Sequence, residues 1–173
     1  CRALEAGASA ADALSRAVLA ARAEYEAALG RPVELEDPDA VPSATLALAV
    51  VGEDDVELWG LGDSPLAVLR RDGSLAVSTD ETLEELDGRA VALMAERAAG
   101  RDLTAPEKRS LVSDVVLANR RLRNSEGGYW CLDPTGSGLA HARRLTLPRR
   151  EVVVVAGMSD GLFRAFGQYG MAR

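Results

Sequence analysis

Histidine and cysteine are nearly absent from this sequence. It has one histidine, His141, and two cysteines, Cys1 and Cys131, in 173 residues. A single histidine excludes metal sites with several imidazole ligands, and because His141 lies in a polar stretch we expect it at the surface. Two cysteines do not make a disulfide framework, which is typical of a protein in a reducing cytoplasm.

Aromatic residues, long apolar runs and excess positive charge are also lacking. Aromatics make up 4% of the chain, so the core must be built from Leu, Val and Ala. No apolar run approaches the roughly 20 residues that span a bilayer, and no signal peptide is recognisable. A net charge of −7 repels phosphate backbones and disfavours general nucleic-acid binding. We therefore expect a cytoplasmic protein with no membrane and no nucleic-acid partner.

The remaining composition is that of an ordinary globular domain, and its first half predicts a helix followed by strands. Residues 2–29 repeat Ala, Leu and Val at helical spacing, with Ser9 as a cap near the start and Gly30 as the stop. Residues 31–42 contain three prolines and predict a loop. Residues 43–78 predict an antiparallel meander with strands at 43–51, 56–61, 66–70 and 75–78, and a hairpin turn at Asp72-Gly73.

The second half returns to helix and then to strands. Residues 80–123 predict helices that are interrupted at Gly100 and restart at a Thr104 cap. Further strands are predicted at 129–132, at 143–147 and at the valine-rich stretch from Val152. Helix, strands, helices and strands in this order predict an α+β fold of two antiparallel sheets with helices outside them.

A carboxylate follows the valine-rich strand. Four consecutive valines, Val152–Val155, predict a strand buried on both faces, and the chain then reaches Ser159-Asp160-Gly161. An acid at the end of a buried strand is held rigidly, and Gly161 would let the backbone turn sharply there. Because Asp is also a common turn former, this pattern alone leaves both roles open for Asp160.

A second acid occurs in a similar context. Asp63 follows an apolar strand and is flanked by glycine and serine, as Asp160 is. If the two strand ends meet at one edge, the two carboxylates converge and must share a cation or raise a pKa. Oxygen ligands suit Mg²⁺ or Mn²⁺, which hold phosphoryl oxygens and activate water. If they converge, this pattern predicts either a Mg²⁺ or Mn²⁺ site with Asp63 and Asp160 as ligands, or a carboxyl group with a raised pKa.

Several segments in this order and spacing resemble a known family. They are residues 42–48, the Gly-Asp-Ser-Pro segment 62–69, Asp72-Gly73, and the Ser-Asp-Gly segment 159–163. Together they are similar to PP2C-type metal-dependent Ser/Thr phosphatases, and to the short PP2C-like proteins of actinobacteria in particular. The resemblance covers most of residues 10–167. It implies an αββα sandwich with a two-metal centre between the sheets, where a metal-bound water attacks the phosphorus of a phosphoprotein substrate.

The resemblance also assigns residues and exposes departures. It implies that Asp160 is the strand-end metal ligand and that Asp63 lies near an additional metal position. The early Asp-Gly motif of the family is missing, its last Asp ligand would fall beyond residue 173, and Arg164 stands where an acid often follows. We therefore expect one PP2C-like domain over residues 1–173 that lacks its first strand or strands and its last strand. Its Mg²⁺ or Mn²⁺ site is expected to be incomplete.

Two other functions fit the same sequence. A non-catalytic PP2C-like module would keep the fold and bind a protein partner. An N-terminal Cys1 could act as a nucleophile with its own α-amine as base, as in hydrolases that also use an αββα sandwich. Against this second alternative, such a nucleophile needs to begin a strand, and residues 2–6 are predicted to be helical.

Overall fold

The computed structural model describes residues 7–35, 37 and 40–169, without the side chains of residues 166–169. These residues form six β-strands, five α-helices and two short 3₁₀ segments. The strands are β1 (Leu46–Val51), β2 (Asp55–Leu61), β3 (Leu66–Arg70), β4 (Leu75–Ser78), β5 (Arg143–Pro148) and β6 (Val152–Gly157). The α-helices are α1 (Ala10–Leu29), α2 (Glu81–Ala98), α3 (Ala105–Ser110), α4 (Ser113–Arg120) and α5 (Asp160–Tyr169).

The strands make two antiparallel three-stranded sheets. The first has the order β1-β2-β5 and the second has the order β4-β3-β6. With the helices they form an α+β sandwich, as predicted. The prediction of one meander over residues 43–78 is wrong, because the chain leaves the first sheet after Leu61 and enters the second at Leu66. This crossing places a short turn, residues 62–65, between the sheets.

Aliphatic side chains fill the space between the sheets, as the scarcity of aromatics predicted. This cluster consists of Val56, Leu58, Leu66, Val68 and Leu147, with Ala47, Val152 and Val155 packed against it. The outer face of the first sheet is covered by α1, whose Ala10 and Leu14 lie on Trp59. Both faces of β2 are therefore buried, and the end of this strand is held firmly.

The valine strand is less buried than its composition predicted. Val152 and Val155 pack against the core, but Val153 and Val154 are 52% and 51% exposed. The predicted burial on both faces is therefore wrong. Val154 pairs with Leu69, which in turn pairs with Leu75, and all three side chains are exposed, while Val153 lies at a β-bulge between β3 and β6.

Most helix boundaries follow the predicted caps. The Ser9 hydroxyl accepts a hydrogen bond from the Asp12 N–H at 3.1 Å, and Gly30 ends α1 with a φ of 69°. Asp80 caps α2 and Thr104 caps α3. The region 80–123 is divided once more than predicted, between α3 and α4. The part of the first predicted helix over residues 2–6 lies outside the described residues.

The predicted strand at 129–132 is not formed. Tyr129 and Leu132 make only single bridges, to Arg123 and Ala44. The Asn124 side chain accepts a hydrogen bond from the Cys131 N–H at 2.9 Å, and thereby takes the place of a strand partner. This segment is consequently a tight loop closed by side-chain hydrogen bonds.

Candidate functional site

The turn between the two sheets carries Asp63. Gly62 has a φ of 72°, and a Cβ atom at this position would lie 2.6 Å from Cγ2 of Thr45. The hydroxyls of Thr45 and Ser64 are 2.6 Å apart, and Thr79 donates a hydrogen bond to the Asp63 carbonyl at 3.3 Å. Only glycine fits at position 62 without strain, and the surrounding contacts fix the backbone that bears the Asp63 carboxylate.

Arg143 fastens the same turn from the first residue of β5. Its guanidinium donates a hydrogen bond to the Gly62 carbonyl at 2.8 Å and lies 3.6 Å from the Asp80 carboxylate. Sequence reasoning missed this contact because Arg143 and Gly62 are 81 residues apart and no local pattern connects them.

Asp160 is positioned by a helix start. It is the first residue of α5, and the Ser159 hydroxyl accepts a hydrogen bond from the Leu162 N–H at 3.3 Å. The expected sharp turn at Gly161 is therefore wrong, since Gly161 lies within the helix. A carboxylate in the first turn of a helix interacts favourably with the helix dipole.

The two strand-end acids line one pocket. Its walls are formed by Asp63, Thr79, Asp80, Glu84, Asp160, Phe163 and Arg164. The pocket has a volume of about 20 Å³, which is room for about one water molecule. The structure thus brings together the two predicted site residues, and their role as metal ligands stays a prediction.

The electrostatics of the pocket centre on Asp63. Burial, and then the negative charge of Asp160, raise the pKa of the Asp63 carboxyl above its ordinary value. A backbone hydrogen bond within Asp63 and the positive charge of Arg164 act in the opposite direction. Ionised Asp63 is therefore held at a cost that a proton or a cation in the pocket would relieve.

Arg164 is the cation that the structure places beside these acids. Its guanidinium lies 3.6 Å from Oδ2 of Asp160 and 3.7 Å from Oδ2 of Asp87. Both distances exceed a normal hydrogen bond, so the contacts are electrostatic. Asp87 lies on α2, and the pattern of the sequence did not single it out.

Comparison with protein families agrees with this architecture. The model of the protein phosphatase 2C family matches residues 2–172. The chain belongs to the PP2C family. The resemblance stated from its motifs is thereby confirmed. Comparisons with curated proteins and with solved structures gave no significant match.

PP2C-type proteins are generally metal-dependent. The question is therefore whether the carboxylates of this pocket could hold a divalent metal ion. Among the described residues, no group of three or more His, Cys, Asp or Glu is arranged to hold a metal ion. Asp63 and Asp160 supply two carboxylates, which suits one Mg²⁺ or Mn²⁺ that keeps several waters. The pair does not suit the two-ion centre that the resemblance implies.

A larger cavity lies elsewhere and contains neither acid. It has a volume of about 410 Å³ and runs between α1 and the segments 42–44 and 132–134 of this PP2C-family chain. Its walls are mainly apolar, so its size does not make it the site of phosphoryl chemistry.

None of the described helices is long and apolar enough to cross a bilayer.

Two other candidate groups among the described residues, Cys131 and His141, do not line the acid pocket. Burial raises the pKa of the Cys131 thiol to about 11, so this thiol is protonated at neutral pH. His141 is exposed, as predicted, and stacks on Trp130 with ring centroids 3.3 Å apart. Cys1, the alternative N-terminal nucleophile, lies outside the described residues.

Proposed function

We propose that this PP2C-family protein is a phosphoprotein phosphatase that hydrolyses phosphoserine and phosphothreonine at the pocket of Asp63 and Asp160. The proposal is supported by the family match over residues 2–172. It is also supported by the shared position of two acids that are 97 residues apart in sequence (160 minus 63) and line one pocket. Two carboxylates that meet at one pocket repel each other unless a proton or a cation offsets their charge.

The proposed cofactor is one Mg²⁺ or Mn²⁺ ion held by Asp63 and Asp160. When bound, such an ion supplies positive charge for phosphoryl oxygens and activates water for hydrolysis. The pocket is too small to admit a phosphoryl group, so the phosphate of the substrate would lie at its mouth. Asp160, whose side chain is 44% exposed, and the half-buried Asp63 would be the residues that hold the ion.

The test is a phosphatase assay of the full chain with variants of both acids. Hydrolysis of p-nitrophenyl phosphate and of a phosphothreonine peptide is measured with Mn²⁺, with Mg²⁺ and with EDTA. We expect turnover that requires the metal. In Asp160→Asn and Asp63→Asn it should fall by about 10-fold to 100-fold, because each variant loses a charged ligand.

The matched control is Asp54→Asn. Asp54 is an exposed acid in the turn before β2, at the opposite end of this strand from Asp63. The control removes the same charge and should leave turnover unchanged. Turnover that persists in EDTA, or that survives both acid substitutions, would contradict the proposed site.

A second candidate function is a non-catalytic PP2C-like module that binds a protein partner. The observation that favours it is the absence, among the described residues, of a group of three metal-binding side chains. It predicts that the folded protein takes up no metal and turns over neither substrate. Metal-dependent turnover that is lost in Asp160→Asn would exclude this alternative.

A further inference from the structure

The candidate site contains a cation of its own. We propose that the Arg164 guanidinium is a built-in counter-ion of the acid pair, and that it competes with a divalent cation for Asp160. The inference rests on the proposed function, because it takes Asp63 and Asp160 as the groups that a metal would use. It adds a residue that sets how tightly this pocket holds a metal.

The first argument is the position of the guanidinium. Arg164 lies one helical turn after Asp160 on α5, and its guanidinium reaches Asp160 at 3.6 Å. The same nitrogen lies 3.7 Å from Asp87 on α2. One cation therefore contacts acids from two helices, and its charge also acts on Asp63.

The second argument is the available space. Arg164 and Phe163 are walls of a pocket with room for about one water molecule. A Mg²⁺ or Mn²⁺ ion with two carboxylate ligands keeps several waters, and these need more room than the pocket has. Because Arg164 is a wall of this small pocket and contacts Asp160, an ion on Asp160 would lie directly beside its guanidinium. The Arg164 side chain is 33% exposed, so it has a path to solvent.

The third argument is charge. The guanidinium of Arg164 carries a positive charge beside Asp160. A divalent ion on Asp160 would lie within a few ångströms of this charge and would be repelled by it. If Arg164 moves away, its contacts with Asp160 and Asp87 are lost; if it stays, it repels the bound ion. Either cost weakens metal binding.

The experiment measures Mn²⁺ affinity directly, by the electron paramagnetic resonance signal of free Mn²⁺ during titration of the full chain. Arg164→Gln removes the charge, while Arg164→Lys keeps a cation at this position. We expect Arg164→Gln to bind Mn²⁺ about twofold to fivefold more tightly than the wild type, which is the range for a partly exposed ion pair. Arg164→Lys should stay close to the wild type.

A matched control is offered by α1. Arg22 and Glu26 also form an i,i+4 ion pair, and Arg22 is 34% exposed, almost the same as Arg164. Helix α1 covers the other sheet, so Arg22→Gln removes the same charge far from the pocket and should leave Mn²⁺ affinity unchanged. Circular dichroism checks that each variant is folded. Arg164→Met supplies a second neutral side chain if Arg164→Gln does not fold.

The outcomes separate this inference from the proposed function. Equal Mn²⁺ affinity in the wild type and Arg164→Gln, with loss of binding in Asp160→Asn, would overturn the role of Arg164 and leave the metal site standing. Weaker binding in Arg164→Gln would overturn it too, since Arg164 would then support the site. Tighter binding that depends on Asp160, without any phosphatase turnover, would support the inference and contradict the proposed function. No Mn²⁺ binding by any variant would overturn both.

Discussion

Two strands lead to the two acids of the candidate site, and the structure treats them very differently. Strand β2, which ends before Asp63, is the central strand of its sheet and is buried on both faces by the second sheet and by α1. Strand β6, which ends before Asp160, lies at the edge of its described sheet, and two of its four valines are about half exposed. By sequence alone, the valine-rich strand was the more convincing candidate for a fully buried strand.

This difference teaches that apolar composition sets the tendency to form a strand, while neighbours decide how much of it is buried. β2 contains the large side chains Leu58 and Trp59 on opposite faces, and each face meets a different layer. β6 has one paired neighbour among the described strands. Asp63 is consequently anchored by the core, while Asp160 is anchored by the cap and first turn of α5.

The largest expected effect separates the two strands by stability. Leu58 is 3% exposed, so Leu58→Ala should lower the free energy of unfolding by about 2–5 kcal/mol through lost burial and the cavity left behind. Val154 is 51% exposed, and Val154→Ala should cost no more than about 0.5 kcal/mol. Urea unfolding at pH 7 measures both. Similar losses in the two variants would show that β6 is as well packed as β2.

A smaller effect separates the two glycines beside the acids. Gly62→Ala forces a side chain into a left-handed backbone and against Thr45, and should cost about 1–3 kcal/mol. A methyl group at Gly161 would have no atom within 4 Å, and this residue lies in a helix, so Gly161→Ala should be neutral or stabilise by up to about 1 kcal/mol. Thermal unfolding followed by circular dichroism compares them. A harmless Gly62→Ala would contradict the account of the turn.

The smallest expected effect is a change in stability that has opposite signs for Asp63 and Asp160 and depends on pH for Asp63. The folded-state pKa of Asp63 is raised above its ordinary value of 3.8, so its ionisation costs stability above the folded pKa and not below 3.8. Asp63→Asn should therefore stabilise the protein at pH 7 by less than about 1 kcal/mol, since Asp63 is only half-buried. This gain should shrink as the pH falls towards 3.8.

Asp160→Asn should act in the opposite direction at pH 7. It removes the contact with Arg164 and should lower stability by at most about 1 kcal/mol, less at high salt. Melting temperatures of both variants between pH 4 and pH 7 provide the measurement. Destabilisation by Asp63→Asn at pH 7 would show that its carboxylate is supported by contacts other than those described.

Much of the fold could be predicted because its signals are local. Ser9, Gly30, Asp80 and Thr104 act within one turn of their own helix ends, and each was recognisable from its neighbours in sequence. The strands of the first half have short turns between them, so their bounds were also nearly correct. The predicted strand at 129–132 failed because the Asn124 side chain hydrogen-bonds to this segment from seven residues away.

The surroundings of the candidate site could be predicted only in part. Asp63 and Asp160 were recognisable because each follows an apolar strand beside glycine and serine. Arg143 and Asp87 were not, because their contacts with Gly62 and Arg164 join elements that are distant in sequence. Arg164 was noticed as a departure from the family pattern, but its ion pair with Asp87 depends on where α5 packs beside α2.

The amino-acid sequence by itself determined the family of this protein, most of its strands and helices, and the two acids worth examining, because these depend on local pattern and on the order of motifs. Only the tertiary structure decided that β2 and β3 belong to different sheets, that the acids share one pocket, and that an arginine stands beside them. The physical reason is that burial, electrostatic coupling and competition for a ligand are properties of distances between elements, and a linear pattern does not contain these distances.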